Sequence, residues 1–128
     1  MVLIDSSIWV DFFRKGDSSI KSSLLREKSR VVTHEMIIGE MMLSNRTDDS
    51  FLEELLLISR LPSVSFEEYW RFVKEKRIAG KGIGYVDTNL LASSIKNGAR
   101  IWTLDKKLAQ AAEESGCLYV VGEAGKSL

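Results

Sequence analysis

Short apolar runs rich in β-branched and aromatic residues recur along the chain, separated by segments with helical spacing, and this alternation constrains the fold most. The runs are VLI at 2–4, VVT at 31–33, a weaker SVS at 63–65, RIWTL at 100–104 and LYVV at 118–121. Such runs read as strands buried on both faces. Between them, Ile8, Trp9, Phe12 and Phe13 mark one helix, Leu52, Leu55 and Leu56 another, and Phe66, Tyr69, Trp70 and Val73 a third. Strands alternating with helices pair in parallel through crossover connections. The expected architecture is a three-layer α/β/α sandwich around a central parallel sheet of four to five strands, and the excess of helix in the middle of the chain suggests a helical pair projecting from the sheet. At 128 residues the chain fits one domain, taken as 1–128, and no second core.

In a sheet of this kind, ligands bind beyond the carboxyl ends of the strands, so polar residues at those points matter most. Asp5 directly follows VLI, and Asp105 follows IWTL. Asp is a favoured N-cap and both precede helical segments, so capping explains either one alone. Glu40 is harder to explain. In HEMIIGEMMLSN it lies three and four residues after Ile37 and Met36 and three before Leu43, which assigns it to the apolar face of a helix. Asp87 in YVDTNLLASSIKNG precedes Leu90, Leu91, Ser94 and Ile95 at helical spacings and shares their side, although it also suits an N-cap. A lone carboxylate on a buried face is costly unless it is paired, protonated or bound to a cation.

If the four acids converge, they cannot all stay ionised without a cation between them. An all-oxygen set suits a hard divalent ion, Mg²⁺ or Mn²⁺. Zinc is disfavoured, because His34 is the only histidine and Cys117 the only cysteine. His34 is read as a helix-start residue and Cys117 as a small buried side chain. A divalent ion among carboxylates can activate water and stabilise a leaving alkoxide, which is what phosphodiester hydrolysis requires. The chain carries no Gly-x-Ser-x-Gly elbow and no nucleotide-binding loop. Its glycine-rich AGKGIGY at 79–85 is read as a helix-to-helix turn.

Two alternatives stay open on the residues alone. One is a phosphoacceptor or phosphatase domain, disfavoured because Ser7 stands where a second acid is needed. The other is a non-catalytic metal- or RNA-binding module. Basic and acidic residues balance at 18 each, which argues against a generic polyanion binder. The basic ones nevertheless concentrate at 14–30 and 71–81, on either side of an acidic middle. No apolar stretch is long enough to span a membrane and no signal peptide is evident, so a cytoplasmic protein is expected.

The order and setting of these acids, in LIDSSIWVDFF, IIGEMML, KGIGYVDTNLLAS and WTLDKKL, resemble the PIN domain, and more narrowly the VapC ribonuclease toxins of toxin–antitoxin pairs. The resemblance runs over roughly residues 2–121. It implies that Asp5, Glu40, Asp87 and Asp105 form a metal site, with Asp5 and Asp87 as direct ligands and Ser6 and Thr103 as supporting hydroxyls. It further implies an RNA substrate, a cognate antitoxin and a homodimer. Arg14, Arg77, Lys81 and Lys106 are the candidates for phosphate contacts.

Overall fold

The computed structural model describes residues 1–15, 18–45 and 47–121. Strand β1 (Val2–Ile4) lies at the centre of a parallel sheet, with β2 (Val31–Val32) on one side and β3 (Arg100–Trp102) on the other. Its register sets Leu3 opposite Val32 and Ile101, and Ile4 opposite Trp102. Val2, Leu3 and Ile4 are fully buried, as a strand covered on both faces must be.

The sheet is narrower than the sequence suggests. The sequence suggests four to five strands; among the described residues three form, and each edge adds one parallel bridge, Thr33 to Arg60 and Ile101 to Leu118. SVS is not a strand, because Ser65 caps the helix that follows: its hydroxyl accepts the Glu68 amide while the Glu68 carboxylate accepts the Ser65 amide. In LYVV only Leu118 pairs in the sheet, and Val120 and Val121 are exposed.

Helices α1 (Ser6–Lys15) and α2 (Ser18–Arg26) precede β2. After it come α3 (Glu35–Leu43), α4 (Asp49–Leu57), α5 (Phe66–Glu75) and α6 (Tyr85–Asn97), while α7 (Lys106–Glu114) follows β3. They fall into two packing groups: α1 contacts α2 and α3, and α3 contacts α4, whereas α5 packs on α6, and α6 and α7 pack on β3. The sheet and both groups share one contiguous core containing Ile8, Ile37, Leu55, Leu90 and Leu108. Among the described residues no helix is long and apolar enough to cross a membrane.

The segment at 79–85 is the expected turn between helices. Gly80 and Gly82 take left-handed backbone angles, with φ of 85° and 76°. At Gly82 it is this backbone angle that calls for glycine, since a β-carbon there would meet only the flexible side chain of Lys107.

Candidate active site

The topology explains why four distant acids reach one end of the sheet. All three strands run in parallel, so the residues following β1 and β3, and the helix following β2, start at the same edge. Helix α6 runs back before β3, so its amino end lies at that edge as well. Asp5 ends β1, Glu40 is on α3, Asp87 is in the first turn of α6, and Asp105 caps α7.

Asp5 is buried and held from several directions. Its amide donates to the Trp102 carbonyl at 3.0 Å, which stitches it to β3, and its own carbonyl accepts the Ile8 amide at 3.1 Å, which starts α1. Its Oδ2 accepts two hydroxyl bonds, each 2.7 Å long, from Ser7 and Thr103. The Thr103 hydroxyl therefore lies against the Asp5 carboxylate. Ser6 instead reaches Glu40, donating to Oε1 at 3.4 Å. From the sequence alone Ser7 counts only against a second acid at that position. In DSS both serines follow the aspartate, and sequence spacing cannot tell which hydroxyl turns back to it.

Glu40 requires a correction. Spacing placed it on the buried face of α3, yet the residue is exposed; Ile37, Ile38 and Met41 fill that face. The helix is apolar around nearly its whole circumference, with Met42 and Leu43 also exposed, so periodicity could not single out a face. The carboxyl is nonetheless shielded by its surroundings. Burial raises its pKa most, the charge of Asp5 adds to the rise, and the Ser6 hydrogen bond opposes it.

Asp87 is half-buried, and its carboxyl is pushed up to about 6, first by burial and then by the charges of Asp5, Asp105 and Glu40. The four acids therefore act on one another electrostatically. Asp87 is not an N-cap, because Gly84 holds that position. Asp105 is one, accepting the Leu108 amide on Oδ1 at 2.9 Å, which still leaves its charge facing Asp87.

Among the described residues, no three His, Cys, Asp or Glu side chains are gathered into a preformed cage for an ion. The arrangement is an open set of carboxylates. That set fits Mg²⁺ or Mn²⁺, since Mg²⁺ keeps several waters and is held through one or two carboxylates. The like-charge repulsion that raises Asp87 is also what a cation would relieve. His34 is no ligand: it is fully buried, Nδ1 accepts the Met36 amide at 3.1 Å, and Nε2 faces Ser93 Oγ at 3.1 Å.

The four basic candidates are spread out. Lys106 adjoins Asp105 at the start of α7. Lys81 pairs with Glu114 at the far end of that helix, 3.5 Å away. Arg14 is exposed nine residues beyond Asp5, about 13 Å along α1 at 1.5 Å per residue. Arg77 is exposed in the turn after α5, with φ of 52°.

Comparison with known proteins bears on the family and the fold. The PIN-domain family model matches residues 2–114. Ribonuclease VapC32 of Mycobacterium tuberculosis is 36% identical over 118 residues, covering 91% of this chain and 94% of that protein. VapC ribonuclease Mb1587 of Mycobacterium bovis is 29% identical over 112 residues, covering 79% and 84%. Among solved structures, VapBC2 of Rickettsia felis, bound to a DNA fragment from its promoter, superposes with a TM-score of 0.62 at 15% identity, covering 82% of this chain and 88% of that one. PAE2754 of Pyrobaculum aerophilum gives a TM-score of 0.58 at 15% identity, covering 86% and 83%. At that identity the structural likenesses speak for the fold alone.

Proposed function

We propose, since the chain belongs to the PIN-domain family alongside the VapC ribonucleases, that it is a divalent-metal-dependent endoribonuclease and the toxin of a toxin–antitoxin pair. One observation carries the reading: four carboxylates from four separate elements converge electrostatically on the ligand-binding edge of a parallel sheet. Whole-length similarity to proteins named as ribonucleases supports RNA as the substrate.

Asp5 and Asp87 hold the cation, Mg²⁺ or Mn²⁺, with Glu40 and Asp105 completing its surroundings. When bound, the ion polarises a phosphoryl oxygen and lowers the pKa of a water, the two requirements for cleaving a phosphodiester. The chain's own groups prepare for this. The Ser7 and Thr103 hydroxyls fix the plane of the Asp5 carboxylate. Asp87 sits at the amino end of α6, where the helix dipole favours its charged form once repulsion is relieved. Exposed Glu40 leaves the edge open to a polymer. Arg14, Arg77, Lys81 and Lys106 contact backbone phosphates, which sets position without reading sequence.

The partners are an RNA substrate, a cognate antitoxin and a second copy of the chain, all in the cytoplasm. Large apolar side chains left in solvent support protein partners: Leu43 is 90% exposed and Leu57 87%, and Phe66 and Trp70 protrude from α5. The test is cleavage of RNA by purified protein, with and without EDTA, beside Asp5→Asn. Cleavage should stop with EDTA, return with added Mg²⁺ or Mn²⁺, and be lost in the variant. Activity that survives chelation, or an Asp5→Asn protein that cuts normally, contradicts the reading; RNA binding without cleavage points to a non-catalytic module.

A further inference from the structure

Asp5 has one of its two carboxylate oxygens fully engaged, and the arrangement that engages it is more organised than a pair of chance contacts. The Ser7 hydroxyl donates its single proton to Asp5 Oδ2 at 2.7 Å, and its oxygen accepts the Leu104 amide at 2.9 Å. Thr103 repeats the pattern: it donates to the same Oδ2 at 2.7 Å and accepts the Asp105 amide at 3.0 Å. The two hydroxyl oxygens are 3.3 Å apart. Each hydroxyl thus spends its proton on the carboxylate and a lone pair on the backbone of the β3–α7 turn.

Two consequences follow. Among the described residues Oδ1 of Asp5 accepts no hydrogen bond, so it is the oxygen left to meet a ligand. The same two hydroxyls also bind the amides of Leu104 and Asp105, so the turn presenting the Asp105 carboxylate is fastened to the orientation of Asp5. Burial of Asp5 in a site without other donors to Oδ2 makes this clamp the main constraint on its rotation.

We infer that Ser7, acting with Thr103, is a positioning residue that commits Asp5 to binding a divalent cation through Oδ1 alone and holds Asp105 in register with it. This rests on the reading of Asp5 as a metal ligand, and the experiment separates the two. Hydrogen bonds that orient a metal-binding carboxylate strengthen binding without touching the ion.

The probe is Mn²⁺ alone, titrated into metal-free protein and followed by calorimetry or the manganese electron paramagnetic resonance signal. Ser7→Ala should weaken Mn²⁺ binding by about ten- to a hundredfold, the usual range for groups that orient ligands. Ser7→Thr, which keeps the hydroxyl, should restore most of that loss. Thr103→Val, isosteric and lacking the donor, should repeat it, and the double variant should lose less than the product of the two single losses, since both act on one oxygen. Thr103→Val also serves if Ser7→Ala does not fold. Wild-type affinity in both folded alanine and valine variants overturns the inference, as does equal weakening in Ser7→Ala and Ser7→Thr. Failure of the wild-type protein itself to bind Mn²⁺ overturns the metal site on which it depends.

Discussion

Two polar clusters lie among the starts of helices, and they are built in opposite ways. Around His34, at the start of α3, every named polar atom has a partner of the right kind. Nδ1 accepts the Met36 amide, Nε2 faces the hydroxyls of Ser93 and Ser63, and Ser63 donates in turn to Glu35. Around Asp87 burial raises the carboxyl's pKa most, and the like charges of Asp5, Asp105 and Glu40 add to the rise. Satisfied polarity stabilises a fold and specifies it; frustrated polarity weakens the fold and needs a ligand. The first cluster is structural, and the second is the site proposed above for the cation.

The largest expected effect comes from removing that frustration. Asp87→Asn should reduce RNA cleavage to the level seen with EDTA, while making the metal-free protein more stable. A carboxyl raised from 3.8 to about 6 penalises the folded state at neutral pH; relief should be worth about 2 kcal/mol after allowance for partial solvent screening. Thermal melting of both proteins after EDTA treatment checks it. A variant that loses both activity and stability would remove the distinction between the clusters.

His34→Ala should move stability the other way, by about 2 kcal/mol, because it deletes an N-cap acceptor and strands the buried Ser93 hydroxyl. Urea denaturation reads this directly.

The pH dependence sharpens the contrast further. Burial lowers the pKa of His34, with Glu35 opposing, so the folded state favours the neutral ring. The unfolded chain then binds the extra proton, and the contribution of His34 is present above its ordinary value of 6.5 and is lost as pH falls below it. Asp87 has the opposite sign: its penalty is complete above about 6 and is relieved as pH drops toward 3.8. Metal-free melting temperatures between pH 7.5 and pH 5 should therefore fall more steeply on acidification in Asp87→Asn than in wild type, and less steeply in His34→Gln. The smallest effect belongs to Ser6. Its 3.4 Å bond to Glu40 is long and exposed, so Ser6→Ala should cost cleavage no more than about 1 kcal/mol in kcat/KM.

The contrast also explains what could be read from the sequence. VLI, VVT and RIWTL are legible as strands because their apolar residues leave no polar alternation, and within them Val2–Ile4, Val31–Val32 and Arg100–Trp102 lie in the sheet. SVS forms no strand because its Ser65 opens a Ser-x-x-Glu capping box, a stronger use for that serine. Asp5, Asp87 and Asp105 were conspicuous because strand ends and helix starts are local events. The exposure of Glu40 was not legible, since α3 is apolar on nearly every side and its outward arc depends on α1 and α4 packing against it. The links from Ser7 to the turn after β3 are not legible either, since Thr103 and the Leu104 amide lie nearly a hundred residues away in sequence.

The most direct measurement is a Mn²⁺ titration of metal-free protein by calorimetry at pH 6 and pH 8, with the protons released counted from the buffer dependence of the heat. The account predicts binding that weakens in Asp5→Asn, Glu40→Gln, Asp87→Asn and Asp105→Asn, with protons released at pH 6, none at pH 8, and fewer released at pH 6 in Asp87→Asn than in wild type. Binding indifferent to all four substitutions, or to pH, would contradict a cation site shared by these carboxylates.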